Sequence, residues 1–221
     1  MKNLNIKVSS KLYTKNPDST ELGQNIVSHS IQLINDMGFE AFTFKKLSVK
    51  IKSPESSIYR YFSNKHNLLI YLTGWYWSWT AYRIVLATAN IKSAEEKLKN
   101  SLAVLTKPVI VDDSISYVNE ILLDKIIITE SVKAYHTKDV DKENKKGCFE
   151  SYKSVVNSVA EMILEINPKF KYPHMLVSTV IEGAHQQRYF SKHIPSLTDI
   201  KAEEDCITKF YNQLVFNMVA P

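Results

Sequence analysis

Along this chain, apolar residues return every three or four positions rather than every two, which is the period of helices and not of strands. The first clear case starts after Ser19 or Thr20, either of which can cap. Leu22, Ile26, Ser30, Leu33 and Met37 form one stripe, flanked by Val27, Ile31 and Ile34, and Gly38 is placed to end the helix. "FEAFTFKKLSVKIKS" then predicts a short second helix, with Thr43 as N-cap and Phe44, Leu47, Val49 and Ile51 as apolar contacts. Lys52 and Ser53 make a tight turn. "SPESSIYRYF" follows as a third helix of about two turns, with Ser53 as cap and Pro54 at the first helical position, where a missing N–H is harmless. Its plain apolar anchors are only Ile58 and Phe62, four apart and so on one face. Ser63 or Asn64 restarts a long helix that runs to about Ala89.

Helical period continues to the end of the chain. Ser93 with Glu96 makes a capping box before "AEEKLKNSLAVLT", and Pro108 stops that helix. "SISYVNEILLDKIIITESVKAYHT" reads as one helix, or two with a break. "KDVDKENKKG" reads as a charged loop. Helices are expected at 148–166, at 173–192 after Pro173, and over "TDIKAEEDCITKFYNQLVFNM". The expected fold is all-α, with about nine or ten helices and no strand. Residues 1–18 lack a period and end in the turn signal "NPD"; they are expected to be a basic N-terminal arm, mobile or loosely docked. Residues 19–66 form a three-helix unit, and 67–221 a larger helical domain.

Composition supports this picture. Five glycines in 221 residues are few for a sandwich or barrel. No apolar leader opens the chain, and the most hydrophobic run, 68–82, falls short of the roughly 20 residues a membrane span requires. Cys148 and Cys206 fit reduced thiols, and a cytoplasmic location is expected. The charge is uneven. Residues 1–66 hold ten Lys or Arg against five Asp or Glu, whereas 67–221 hold eighteen of each, so the whole net charge of +5 belongs to the first segment. Clustered positive charge is the footprint of a polyanionic partner.

Three helices with a tight turn between the second and third make a helix-turn-helix, whose last helix enters the major groove of DNA with its first residues leading. Such a helix must expose short hydrogen-bonding side chains while a thin apolar edge holds it in place. Ser56, Tyr59, Arg60 and Lys65 are left for DNA: hydroxyls and helix-start amides suit phosphate oxygens, and arginine forks onto guanine or phosphate.

On these residues the stretch "FTFKKLSVKIKSPESSIYRYFSNKHNLL" resembles the DNA-binding signature of the TetR/AcrR family of one-component repressors. Thr43, then Ser57-Ile58-Tyr59-Arg60-Tyr61-Phe62, then Lys65 stand where that family places its threonine, its hydroxyl-aliphatic-Tyr-x-aromatic-Phe core and its lysine. Two departures fall in the turn: Lys52 replaces the usual glycine, and Ser53-Pro54 the usual valine and serine. Lys52 must then adopt a left-handed conformation, or the turn differs. The resemblance implies phosphate contacts from Thr43, Tyr59 and Lys65, and base or groove-edge contacts from Glu55, Ser56, Arg60 and Tyr61. Core packing is the alternative for the two tyrosines. Lys45 contacts the DNA backbone or is solvated. Glu55 accepts from a cytosine or faces the dipole of its own helix. The family further implies a dimer built from helices near 148–166 and 173–192, a palindromic operator, and release by a small hydrophobic or aromatic effector.

Candidate pocket residues for such an effector are Trp79, Tyr82, Tyr117, His136, His185 and Gln186, with packing or exposure as the alternative for each. No glycine-rich phosphate loop, CxxC, HExxH or GxSxG occurs, so neither an enzyme nor a bound metal or cofactor is expected. The competing reading is an all-helical carrier of lipids or hydrophobic ligands whose basic segment meets a membrane or nucleic acid.

Overall fold

Capping side chains set five of the helix starts. A computed structural model describes residues 6–111, 117–200 and 206–220. Among them are eleven α-helices and no strand: α1 (Glu21–Ala41), α2 (Phe44–Lys50), α3 (Glu55–Tyr59), α4 (Lys65–Thr88), α5 (Ala94–Thr106), α6 (Glu120–Glu130), α7 (Val132–Tyr135), α8 (Val140–Lys145), α9 (Glu150–Ile166), α10 (Pro173–His193) and α11 (Cys206–Val219). The Thr20, Thr43 and Ser93 hydroxyls accept from the amides of Gly23, Lys46 and Glu96, and Asn64 accepts from Asn67 at the start of α4. Each cap satisfies a donor that the first turn leaves unpaired. No helix of the described residues is long and apolar enough to cross a membrane.

The chain divides into two compact units, residues 1–78 with 109–151, and residues 79–108 with 152–221. In the first unit α1 packs on α6 and α2 on α3. Ile26, Val27, Ile31 and Ile34 are the buried face of α1, while Leu22, Leu33 and Met37 of the expected stripe are only half-buried, so the contact is rotated toward the flanking residues. Leu68 to Trp77 are buried without interruption, which explains why the start of α4 is apolar all round. Each such buried aliphatic side chain contributes about 2 kcal/mol. The second unit packs α5, α10 and α11 on one another, around Leu98, Leu102, Val177, Ile181, Ile207 and Val215.

Several expectations are corrected. The arm is not loose over residues 6–18: Ile6, Val8, Leu12 and Pro17 are buried, and the Thr14 amide donates to the Tyr61 carbonyl at 2.9 Å. Gly38 does not end α1 but breaks it, at φ 77° and ψ 158°, and one more turn follows. Val49 faces out, 75% exposed, because α2 buries only Phe44 and Leu47. The third helix is five residues rather than two turns; Pro54, not Ser53, stands at its cap, and no side chain caps it. "KDVDKENKKG" contains α8. "SISYVNEILLDKIIITESVKAYHT" divides as α6 and α7 at Ser131, and its predicted first residues, 114–116, lie outside the described residues, as do 201–205 before α11.

Candidate nucleic-acid interface

A five-residue helix has no stability of its own. α3 exists because Ile58 and, just beyond it, Phe62 are fully buried, and because the Phe44 ring of α2 meets the Tyr59 ring edge-on at 5.1 Å. The turn before it is a Schellman motif. The Ser53 amide donates to the Ser48 carbonyl at 3.0 Å and the Lys52 amide to Val49 at 3.3 Å, with Lys52 between them at φ 52°. Lysine therefore takes the left-handed position usually filled by glycine, the first of the two alternatives the sequence left open, and it costs some strain. The helix-turn-helix geometry survives without the glycine.

Thr43, Lys45, Ser56, Tyr59 and Arg60 are all exposed on α2, α3 and their ends, and Glu55 is half-buried. The Tyr59 hydroxyl, 49% exposed with its ring, donates to Glu55 Oε1 at 3.3 Å. Among the described residues no hydrogen bond or ion pair occupies the side chains of Lys45, Lys50, Lys52 or Arg60. The result is a surface of unneutralised cations and short donors around a helix start, suited to phosphate oxygens and base edges.

Two residues named from the sequence stand elsewhere. Tyr61 is 2% exposed; its hydroxyl shares a 2.7 Å hydrogen bond with Thr20 and the Lys15 ammonium lies 5.1 Å from its ring. Burial in the arm contact leaves it no groove edge to touch. Lys65 turns inward, and its ammonium donates to the carbonyls of Phe39 at 3.0 Å, Glu40 at 3.0 Å and Phe42 at 3.3 Å. All three of its N–H groups are thereby engaged.

The six pocket candidates do not form one group. Tyr117 and His136 belong to the first unit, and Trp79, Tyr82, His185 and Gln186 to the second. Tyr117 donates to Asp18, which Tyr71 also reaches at 3.3 Å; burial, then the Asp18 carboxylate, raises the Tyr117 phenol far above its ordinary range. His136 and Gln186 are exposed. Trp79 is buried, with the Arg83 guanidinium 4.6 Å from its ring. His185 is buried, and dehydration, with Arg188 nearby, lowers its pKa to about 4. A cleft of about 150 Å³ in the first unit, bordered by Lys11, Tyr13, Tyr61, Glu143, Lys146 and Cys148 among others, includes none of the six. Both cysteines are free thiols. Among the described residues no cluster of three or more His, Cys, Asp or Glu could hold a metal ion.

Sequence reasoning missed Glu130, which reaches the same head from α6. Its buried carboxylate accepts from the Phe39 amide at 3.1 Å and meets Lys133 at 2.7 Å, and Lys133 also meets Glu40 at 3.2 Å. The Glu130 hydrogen bond, before Glu40, raises the Lys133 pKa. Nothing in a periodicity reading links residues 91 apart in sequence.

Helices α2 and α3, joined by the Lys52 turn and exposed on one face, form a helix-turn-helix. Residues 26–72 match the family model "Bacterial regulatory proteins, tetR family". No curated protein matches it by sequence. Solved structures support the fold. AibR in complex with isovaleryl coenzyme A and operator DNA is 14% identical with a TM-score of 0.60, over 90% of this chain and 99% of that one. A tetR-family regulatory protein from Rhodococcus RHA1 is 12% identical, TM-score 0.60, over 91% and 98%. The fatty acid degradation regulator FadR from Bacillus halodurans is 16% identical, TM-score 0.57, over 95% and 96%.

Proposed function

We propose that this chain is a cytoplasmic transcriptional repressor that binds a palindromic operator as a homodimer and is released by a small hydrophobic effector. The observation that carries the DNA reading is the α2–α3 face, where Thr43, Lys45, Ser56, Tyr59 and Arg60 are exposed and, among the described residues, no hydrogen bond or ion pair occupies the Lys45 and Arg60 side chains. Thr43, Tyr59 and Lys45 contact phosphates; Ser56, Arg60 and Glu55 face base edges. Residues 19–66 act as the DNA-binding domain, and 67–221 as the ligand-binding and dimerisation domain. The effector binds the non-DNA-binding state more tightly and so shifts the population away from the operator. The AibR complex, with an acyl-coenzyme A and operator DNA, makes an acyl compound the first effector to try.

The expected dimer uses helices near 148–166 and 173–192. Exposed apolar side chains favour a shift by one helix: Met175 on α10 and Phe210 and Met218 on α11 are 48–66% exposed, whereas the outward positions of α9 are Glu150, Lys153, Ser154, Asn157, Glu161 and Glu165. α10 is retained and α11 replaces α9 as its companion. A two-fold axis would set two α3 helices about one DNA turn apart.

The test is binding to the duplex immediately upstream of the chain's own coding sequence at two salt concentrations. Specific binding that weakens with salt is expected. Equal affinity for scrambled duplex removes the operator reading, and vesicle binding without DNA binding supports the carrier alternative. Arg60→Ala should weaken specific binding about tenfold or more while non-specific binding changes little.

A further inference from the structure

The corner between α1 and α2 is held by charged groups from three directions. Gly38 breaks α1, and the carbonyls of the next four residues point out of the broken turn. Lys65, at the start of α4, takes those of Phe39, Glu40 and Phe42. Lys46 takes that of Ala41 at 2.7 Å. From α6 Glu130 accepts the Phe39 amide, with Lys133 bridging Glu130 to Glu40. Every acceptor from Phe39 to Phe42 is thus occupied by a lysine ammonium, and the first amide by a carboxylate.

Glu130 is poorly placed for any local reason. It is the last residue of α6, where the helix dipole disfavours a negative charge, and it is 9% exposed, so its solvation is largely lost. Its bonds to the corner and to Lys133 are what compensate. Lys65 is similarly committed: its ammonium also lies 4.8 Å from the centre of the Phe39 ring, and no N–H remains for an outside acceptor.

We propose that Lys65 and Glu130 are positioning residues for DNA binding: they fix the α1–α2 corner from α4 and from α6, and so the direction of the α2–α3 face, without touching DNA. This departs from the phosphate contact that the family resemblance implies for Lys65. It rests on the reading that the α2–α3 face binds duplex DNA.

A phosphate contact and a corner clasp answer differently to salt and to arginine. A phosphate-binding lysine contributes about 0.9 to the slope of log affinity against log salt, and arginine replaces it well. A lysine that feeds three carbonyls from one point is not replaced by a planar guanidinium. Lys65→Met and Lys65→Arg should therefore both weaken binding to the upstream duplex about tenfold, with the salt slope of the wild type retained. Lys65→Arg keeps the charge and serves where Lys65→Met does not fold. A slope lowered by about one unit in Lys65→Met, or full affinity in Lys65→Arg, overturns the proposal.

A second measurement needs no DNA. Hydrogen exchange of the Phe39 amide should accelerate at least tenfold in Glu130→Ala and be largely restored in Glu130→Gln, whose side-chain oxygen still accepts. Unchanged protection in Glu130→Ala overturns the clasp. Should the wild type bind no duplex, the functional reading falls, and the Phe39 exchange still decides the clasp.

Discussion

The two compact units handle ionisable groups in opposite ways. In the first, a carboxylate is kept in a buried place by giving it a backbone amide and a lysine, and other lysines are bound to carbonyls or left facing out. In the second, His185 is buried with its pKa lowered to about 4, dehydration being the larger cause and Arg188 the smaller, so it is neutral at ordinary pH. The proposed meeting with a polyanion needs fixed positive charge on one face and a rigid frame behind it. The second unit, by contrast, surrounds this histidine with core, and charge there is expensive.

The largest expected effect tests that contrast through pH. The folded-state pKa of His185 lies below its unfolded value, so between about 4 and 6.5 the unfolded chain binds the extra proton. Stability should be unaffected above pH 6.5 and fall as pH drops toward 4, by about 3 kcal/mol for a shift of this size. Urea unfolding at pH 7 and pH 4.5, compared between wild type and His185→Gln, isolates this contribution from the carboxylates that titrate in the same range. If both proteins lose the same stability on acidification, His185 is not held neutral by burial.

Two glycines, one in each unit, are required for different reasons. At Gly38 the backbone itself requires glycine, since φ 77° with ψ 158° is closed to side chains, and an added Cβ would meet nothing nearer than Glu130 Oε1 at 3.6 Å. At Gly183, within α10, the backbone is helical and the obstacle is the Tyr211 hydroxyl, which an added Cβ would strike. Gly38→Ala should cost about 2 kcal/mol of strain and weaken DNA binding. Gly183→Ala should cost about 1–2 kcal/mol through crowding and leave the DNA affinity of the folded protein intact. Thermal unfolding with DNA titration checks both, and equal DNA losses would erase the distinction.

Much of this was legible in the sequence. Period and caps located α1, α2, α4, α5, α9 and α10, because amphipathic stripes and Ser/Thr caps are local signals. At Lys52 the sequence left two alternatives, a left-handed lysine or a different turn, and the φ of 52° selects the first. Long-range partners were not legible. Tyr61 and Lys65 look like DNA contacts in sequence because their types suit phosphate; what removes them are Thr20 and the Phe39–Phe42 carbonyls, whose proximity is tertiary. Pro54 at a cap and the shortness of α3 also follow from packing, because Ile58 and Phe62 fix where the helix must turn.

The smallest effect makes the sharpest comparison, because each unit carries the same device. Thr43 caps α2 with a hydrogen bond to Lys46 at 3.2 Å, and Ser93 caps α5 with one to Glu96 at 3.3 Å. Replacing either by alanine removes one N-cap acceptor and should lower stability by about 1 kcal/mol. Only Thr43 stands on the exposed α2–α3 face. Thr43→Ala should therefore also weaken binding to the upstream duplex several-fold, while Ser93→Ala, matched in stability, should not. Thr43→Ser keeps the hydroxyl for both tasks and should restore most of each. If Thr43→Ala and Ser93→Ala weaken DNA binding equally, the loss comes from destabilisation alone and Thr43 is a cap without a phosphate contact.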